Sequence, residues 1–304
     1  MTIIELIQTN QIIFLSLIFL LGLIVGSFLN VVIYRFPTIL QRQWQDECCE
    51  YLSETEPAYK TPCQQTIGQR EHSKFSLSYP NSTCPHCSHK IRFYENIPVI
   101  SWLFLKGQCS SCQNTISIRY PLVELLTGFV SVVIGFYFGA TILCLSLLIL
   151  SWSLIAMSLI DYDTQLLPDD MTLPIMWLGL LISLFDWSLV YPEQALIGAI
   201  AGYLCLWTVF HIFKLATGKE GMGYGDFKLL ALLGAWMGWQ SLPMIILLSS
   251  LSGAVIGLSV KILKRQKESI PIPFGPYLSI AGFLALVWGK DITQAYYHFI
   301  GLSL

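Results

Sequence analysis

The sequence predicts an all-α polytopic membrane protein with about eight transmembrane helices. Hydrophobic residues make up 54% of the 304 residues and charged residues only 12%, whereas a soluble domain carries about 25% charged residues. The mean hydropathy is +0.62, and the apolar residues gather in runs of roughly 20, the length that crosses a bilayer as a helix. The net charge of −2 argues against a nucleic-acid surface.

The apolar runs give eight predicted spans, with one long polar segment between the first two. The spans cover residues 12–34, 121–139, 141–160, 171–189, 194–213, 227–241, 242–260 and 274–290. The first run lacks the basic start of a cleavable signal peptide, so we interpret it as a permanent anchor. The predicted domains are this anchor (1–34), a polar domain (35–120) and a membrane core (121–304).

Lysine and arginine residues orient the chain, because loops that stay in the cytosol carry an excess of them. The polar segment 35–119 holds nine of the seventeen Lys and Arg residues, and the loops after the fifth and seventh spans are also basic. The intervening loops at 140, 190–193 and 241–242 contain none. The pattern places the N-terminus outside and the polar domain in the cytosol. The third span therefore ends, and the sixth begins, at the cytosolic membrane boundary.

Two aspartates lie at that boundary, at the ends of otherwise uncharged apolar runs. Asp161 ends the third span, and Asp226 closes the sequence Gly223-Tyr224-Gly225-Asp226 just before the sixth. Because a carboxylate beside lipid is costly, it indicates a function. Two at matching depth predict a pair that shares one proton and activates water, one as base and the other as acid. Asp163 is a nearby supporting acid, and Gly223 and Gly225 are expected to permit positive φ and the close approach of an extended substrate.

Other interpretations of these aspartates stay open at this point. Asp161 and Asp163 can equally be polar residues where a helix leaves the membrane, and Asp226 can be a helix N-cap. Acids within membranes also form proton relays, so a proton-coupled transporter is an alternative. A transporter predicts acids near the middle of the bilayer and a symmetric repeat, neither of which the sequence shows.

Two cysteine pairs in the polar domain predict a metal site. Cys84-Pro85-His86-Cys87 and Cys109-Ser110-Ser111-Cys112 are separated by 21 residues, close to the spacing of zinc-binding CxxC pairs. Four thiolates suit tetrahedral Zn²⁺ in a closed, structural shell. We therefore predict a small cytosolic zinc-ribbon-like domain between helices 1 and 2. The alternative is four reduced cysteines without a metal.

Several motifs together resemble one known family. They are Gly26–Arg35, Cys84–Cys87, Tyr94–Trp102, Arg119–Gly128, Asp161–Asp169, Gly223–Lys228 and Pro271–Pro276. In this order, and over nearly the whole chain, they resemble the bacterial type IV prepilin peptidases, which are intramembrane aspartyl proteases of the GxGD type.

The resemblance implies a bifunctional enzyme of the bacterial inner membrane. Such an enzyme cleaves the leader from type IV prepilins and pseudopilins after a glycine, on the cytosolic side. It then methylates the new N-terminal residue, usually Phe, with S-adenosylmethionine. Asp161 and Asp226 fall on the family's catalytic aspartates, Lys228 is a supporting residue of the same motif, and the four cysteines Cys84, Cys87, Cys109 and Cys112 fall on its cytosolic metal ligands. A peptidase without methyltransferase activity is the alternative.

The methyltransferase site and the partners are less clearly marked. Glu95, Asn96 and Gly107 are candidates for the methyltransferase site because they flank the cysteine pairs, with Glu95 nearest the substrate amine. The acids Asp163, Asp169 and Asp170, or the acid-rich stretch 46–56, are expected to meet the basic leader. Membrane lipid is an expected partner, and the sequence leaves open whether the chain forms a homodimer. A non-catalytic assembly protein that holds pilins through its zinc domain is a further alternative function.

Overall fold

The computed structural model describes residues 10–56, 61, 63, 75–219, 221–264 and 273–299, which are almost entirely helical. The helices are α1 (Gln11–Thr55), α2 (Ile100–Phe104), α3 (Arg119–Phe138), α4 (Ile142–Thr164), α5 (Asp169–Ile182), α6 (Pro192–Thr217), α7 (Tyr224–Met237), α8 (Leu242–Lys264) and α9 (Gly275–Phe299). Within those ranges there is no β-strand, only two isolated bridges. The predicted all-α class is confirmed.

Each of the eight predicted spans coincides with a helix, and among the described residues five helices are long and apolar enough to cross a membrane. These five are α1, α3, α4, α6 and α8 with the short turn before it. The protein is therefore a multi-pass membrane protein. Helices α5 and α7 have 14 residues each and are shorter than their predicted spans. Helix α7 stops because Gly238 adopts a φ of 75°, a conformation that ends many helices.

The first helix is much longer than the predicted anchor. It continues through Pro37 to Thr55 and has 45 residues, which at 1.5 Å each is about 68 Å. The bilayer core is about 30 Å thick, so the second half of α1 extends beyond it. The residues from 41 to 55 are mostly polar and include three Gln and three Glu, which favour helix. Residues 57–60, 62 and 64–74 of the polar stretch 41–80 lie outside the described part of the chain.

The described residues divide into two compact units, those within 15–132 and those within 10–14 and 133–299. In the first unit, α1 packs against α3 through Gly22 and Gly26, where a Cβ on Gly26 would lie 2.7 Å from the Cα of Glu124. Small residues spaced four apart allow such close approach of membrane helices. The domain boundaries at 34 and 120 stay predictions.

In the second unit, α7 forms the core. Nearly every residue from Asp226 to Met237 is buried. Helix α6 packs closely against it, because a Cβ on Gly198 would lie only 2.2 Å from the carbonyl oxygen of Gly234. On another side, the Trp236 indole N–H donates to the Ile175 carbonyl of α5 at 2.9 Å. These contacts hold the C-terminal end of α7, the helix that carries Asp226 in its first turn.

Candidate active site and metal centre

The two predicted aspartates lie at helix ends. Asp161 is in the last turn of α4, which stops because Gln165 adopts a left-handed conformation with a φ of 56°. Asp226 is in the first turn of α7. Asp161 is 5% exposed and Asp226 is 6% exposed, and the two carboxyl groups interact electrostatically. The structure therefore brings together the two groups that the sequence singled out.

The start of a third helix, α9, also contacts the aspartate pair. The backbone N–H of Gly275, the first residue of α9, donates to Oδ2 of Asp161 at 2.9 Å. The first N–H groups of a helix have no partner within it, and they favour a carboxylate. A Cβ on Gly275 would lie 2.6 Å from the same oxygen, so glycine is what allows the approach. Sequence reasoning singled out the motif around Gly275 but assigned it no contact.

The two glycines before Asp226 differ from each other. A Cβ on Gly225 would lie 2.6 Å from the Cβ of Leu167, which also lies beside Gly275. Gly225 therefore allows the backbone before Asp226 to pack closely against Leu167. Gly223 has no neighbour nearer than 3.9 Å and an extended backbone, with φ −82° and ψ 151°. Neither glycine has a positive φ, so the loop does not use the left-handed conformation that glycine permits.

Lys228 forms an ion pair with Asp169. Its Nζ lies 2.6 Å from both carboxylate oxygens of Asp169 and so ties α7 to the start of α5. Asp169 therefore already has a cation, which weakens the expectation that it meets a basic leader. Asp163 and Asp170 are exposed, and their roles stay predictions.

The four cysteines form one cluster, as predicted. Their sulfur atoms all lie within 4.8 Å of one another, with Cys84 to Cys112 at 3.8 Å and Cys87 to Cys109 at 4.0 Å. A tetrahedral zinc ion bound at about 2.3 Å from each sulfur needs sulfurs about 3.8 Å apart. The cluster therefore fits Zn²⁺.

Two loops of the same geometry build this cluster. The Cys84 carbonyl accepts from the Ser88 N–H at 2.9 Å, and the Cys109 carbonyl accepts from the Gln113 N–H at 3.0 Å. Ser88 and Gln113 have φ values of 57° and 58°. In the first loop, backbone N–H groups of Cys87 and His86 donate to the Cys84 sulfur and lower its pKa to about 6. The thiolate is the form that binds a metal.

Glu95 joins the two loops. Its Oε2 accepts from the Arg92 N–H at 2.9 Å and lies 3.4 Å from His89 Nε2. The Arg92 N–H, the Ser110 hydroxyl and His89 together lower the pKa of Glu95. Because these partners flank both cysteine loops, the observed contacts of Glu95 support the metal cluster. A role beside the substrate amine stays a prediction.

The other two methyltransferase candidates differ in their surroundings. Gly107 has a φ of 69°, and a Cβ there would lie 2.9 Å from the Trp102 ring. Its N–H donates to the Trp102 carbonyl at 2.8 Å, so it ends the turn after α2 in the way glycine commonly ends helices. Asn96 is exposed at the end of a short helical turn. Their part in methylation also stays a prediction.

One buried acid was missed by the sequence analysis. Glu124 lies in α3 and accepts from the Val99 N–H at 2.7 Å and from the Ser27 hydroxyl. Nearby, the Asn30 amide donates to the Tyr120 carbonyl at 3.1 Å. A glutamate within an apolar run was the signal that could have identified it. These bonds join three of the motifs noted in the sequence.

Comparison with known proteins places the sequence in a family. The family model described as Bacterial Peptidase A24 N-terminal domain matches residues 20–138, and Type IV leader peptidase family matches residues 148–258. A prepilin leader peptidase/N-methyltransferase of Stutzerimonas stutzeri is 51% identical over 303 residues, 99% of this chain and 100% of its own. That of Pseudomonas aeruginosa is 50% identical over 304 residues, 100% of each chain. That of Dichelobacter nodosus is 46% identical over 98% of this chain and 99% of its own. No solved structure matches significantly.

Proposed function

The chain belongs to the type IV leader peptidase family, and from this premise we propose that Asp161 and Asp226 form the peptidase centre of a prepilin leader peptidase and N-methyltransferase. The two relatives that match over the full chain length carry both activities in their names. The enzyme cleaves the leader from type IV prepilins and pseudopilins and then methylates the new N-terminus. The observation that carries the assignment of the centre is the buried pair of interacting carboxyl groups.

The pair supports hydrolysis of a peptide bond by general acid–base chemistry. One carboxylate takes a proton from water as the water oxygen attacks the scissile carbonyl carbon. The other carboxyl group gives its proton to the carbonyl oxygen. The resulting gem-diol collapses as its C–N bond breaks, and the amine leaves with a proton returned by the pair. Two interacting carboxyl groups in an apolar setting hold one proton between them, which is the state this step needs.

Gly275 gives the pair a fixed orientation. Its N–H occupies Oδ2 of Asp161 at 2.9 Å, so the other carboxylate oxygen is the one directed to water. A preorganised donor of this kind acts without rearranging during the reaction. The close packing of Gly225 on Leu167 holds the chain on either side of the pair.

The active site lies at the cytosolic face of the inner membrane, where the leader of the substrate meets its hydrophobic helix. The distribution of basic loops supports this side. There the enzyme cuts after a glycine and methylates the new N-terminal residue, usually Phe. The second reaction transfers a methyl group from the sulfonium of S-adenosylmethionine to the amine nitrogen, which releases a proton. Cys84, Cys87, Cys109 and Cys112 hold a structural Zn²⁺ that cross-links the two loops.

The experiment is cleavage of a purified prepilin, with S-adenosylmethionine present, by Asp161→Asn and Asp226→Asn. We expect each change to slow cleavage by about 10²- to 10⁴-fold or more. Asp186→Asn is the matched control, because Asp186 is exposed and follows the far end of α5, and it should cleave normally. Methylation of a precut pilin by the same variants reports whether they are folded. A normal cleavage rate in either variant would show that the pair is not the peptidase centre.

A further inference from the structure

A group of exposed apolar side chains lies in the segment between the two cysteine pairs. It consists of Phe93, Ile97, Ile100, Leu103 and Phe104, and is called the apolar strip below. Phe93 is 88% exposed, Phe104 is 84% exposed and Leu103 is 61% exposed. Three members share one face of α2, because residues three and four apart on a helix are neighbours. Exposed apolar side chains on one helix face, with others close by in the sequence, indicate a contact with a membrane or with another protein.

The strip is attached to a membrane-spanning helix. The Val99 N–H, between Ile97 and Ile100, donates to Oε2 of Glu124 at 2.7 Å. Glu124 is five residues into α3, which starts at Arg119, so it lies about 8 Å along the helix axis from that end. Interfacial segments bury their apolar side chains about 5–10 Å into the boundary between headgroups and acyl chains. Because the predicted membrane span begins at residue 121, close to that end, the attachment is expected to hold the strip at the depth of that boundary.

This attachment is closely constrained. Val99 has φ 60° and ψ −47°, a strained conformation for a β-branched residue, and the Ile100 N–H closes a γ-turn on the Pro98 carbonyl at 2.5 Å. Such strain persists only where surrounding contacts hold it. The Ser101 hydroxyl adds to them by donating to the Tyr94 carbonyl at 2.7 Å and accepting from the Ile97 N–H at 2.9 Å.

The charges around the strip favour a lipid surface. Lys90, Arg92 and Lys106 flank it and are exposed, whereas the nearby acid Glu95 is bound to groups of the cysteine loops. Basic residues beside an apolar face attract the anionic headgroups of a membrane. A pilin helix or a second copy of the chain would explain the apolar side chains but neither the depth nor the basic flanks.

We propose that residues 93–104 form an interfacial anchor, in which the apolar strip enters the acyl boundary of the bilayer and the basic residues lie among the headgroups. The anchor fixes the cysteine-cluster region of its own unit against the membrane surface beside α3. This role is separate from peptide hydrolysis and from methyl transfer.

The test is photo-cross-linking of the full-length protein in vesicles of phosphatidylethanolamine and phosphatidylglycerol. The photoreactive residue p-benzoylphenylalanine replaces Phe104 in one protein and Leu103 in a second. In the control protein the same photoreactive residue replaces Glu54, which is exposed on the polar end of α1. Glu54 lies about 30 Å along the helix from Tyr34, where the predicted anchor ends. The unfolding temperature of each protein, compared with that of the unsubstituted protein, verifies that it is folded.

We expect lipid adducts, detected by mass spectrometry, at 103 and 104 with a yield several-fold above that at 54. Added prepilin should leave those yields unchanged. The proposal is overturned if the two positions form lipid adducts no more often than position 54 does. It is equally overturned if they cross-link mainly to prepilin or to a second copy of the chain.

Discussion

Replacing Gly275 by alanine is expected to disable the peptidase centre while leaving the protein folded. The added Cβ would lie 2.6 Å from Oδ2 of Asp161 and 3.1 Å from its Cγ, whereas ordinary contacts begin at 3.4 Å. The helix α9 begins at this residue, so its backbone has little freedom to retreat. The Asp161 carboxylate must therefore move, and with it the bond from the Gly275 N–H.

Two magnitudes lead to a similar expected loss of activity. If Oδ2 of Asp161 retreats from 2.6 Å to 3.4 Å from the new Cβ, the carboxylate moves by roughly 0.8 Å. A misplacement of about 1 Å can lower the rate of an enzyme by about 10²-fold. A hydrogen bond to a charged group contributes about 1.5–3 kcal/mol, which corresponds to about 10- to 150-fold in rate. We therefore expect kcat for leader cleavage to fall by about 10²-fold, with little change in KM.

The assay is steady-state cleavage of a purified prepilin by Gly275→Ala, with methylation of precut pilin as the measure of folding. Gly253→Ala is the matched control, because it adds the same methyl group to the neighbouring helix α8, where the nearest atom lies 3.6 Å away. The control should cleave at the normal rate. A normal rate in Gly275→Ala, or an equal loss in Gly253→Ala, would refute the proposed contact as the cause.

Three further predictions follow from the packing and the metal cluster. Gly225→Ala should lower both the unfolding temperature and the cleavage rate, because the new Cβ would lie 2.6 Å from the Leu167 side chain. Gly223→Ala should leave the unfolding temperature unchanged, because no atom lies nearer than 3.9 Å to its Cβ. Equal shifts of the unfolding temperature in the two variants, measured by calorimetry, would contradict this prediction. Glu124→Ala should reduce the free energy of unfolding by about 1–3 kcal/mol, because the Val99 N–H loses its acceptor. Glu124→Gln should retain most of that stability in a denaturant titration, because an amide oxygen accepts the same bond. Cys109→Ser should lower the zinc content of the purified protein, measured by atomic emission, and an unchanged content would mean that this thiol is not a ligand.

Hydropathy predicted the positions of the helices more accurately than their ends. Apolar runs locate each of the eight spans because a backbone in lipid must form helix. The ends depend on local backbone conformation, such as the left-handed Gln165 after α4 and the positive φ of Gly238 after α7. The extension of α1 to Thr55 is invisible to hydropathy because its residues are polar.

The predictable part of the site consists of side chains that are chemically unusual in their setting. Acids in apolar runs identified Asp161 and Asp226, and the spacing of the cysteines predicted their cluster. The contact of Gly275 with Asp161 joins residues 114 positions apart through a backbone N–H, which nearly every residue has. No pattern of residue types marks such a bond, and the same is true of the bond from Val99 to Glu124.

The burial of α7 has a consequence for how the active site relates to the membrane. A helix that contacts lipid must match its apolar length to the bilayer, or tilt to accommodate the difference. With 14 residues, α7 is about 21 Å long, too short for a bilayer core of about 30 Å. Because its side chains from Asp226 to Met237 are surrounded almost entirely by protein, α7 has no such mismatch to relieve. The depth of Asp226 is therefore set by its neighbouring helices, and a thicker or thinner membrane would change the tilt of those outer helices before it moved the carboxylate.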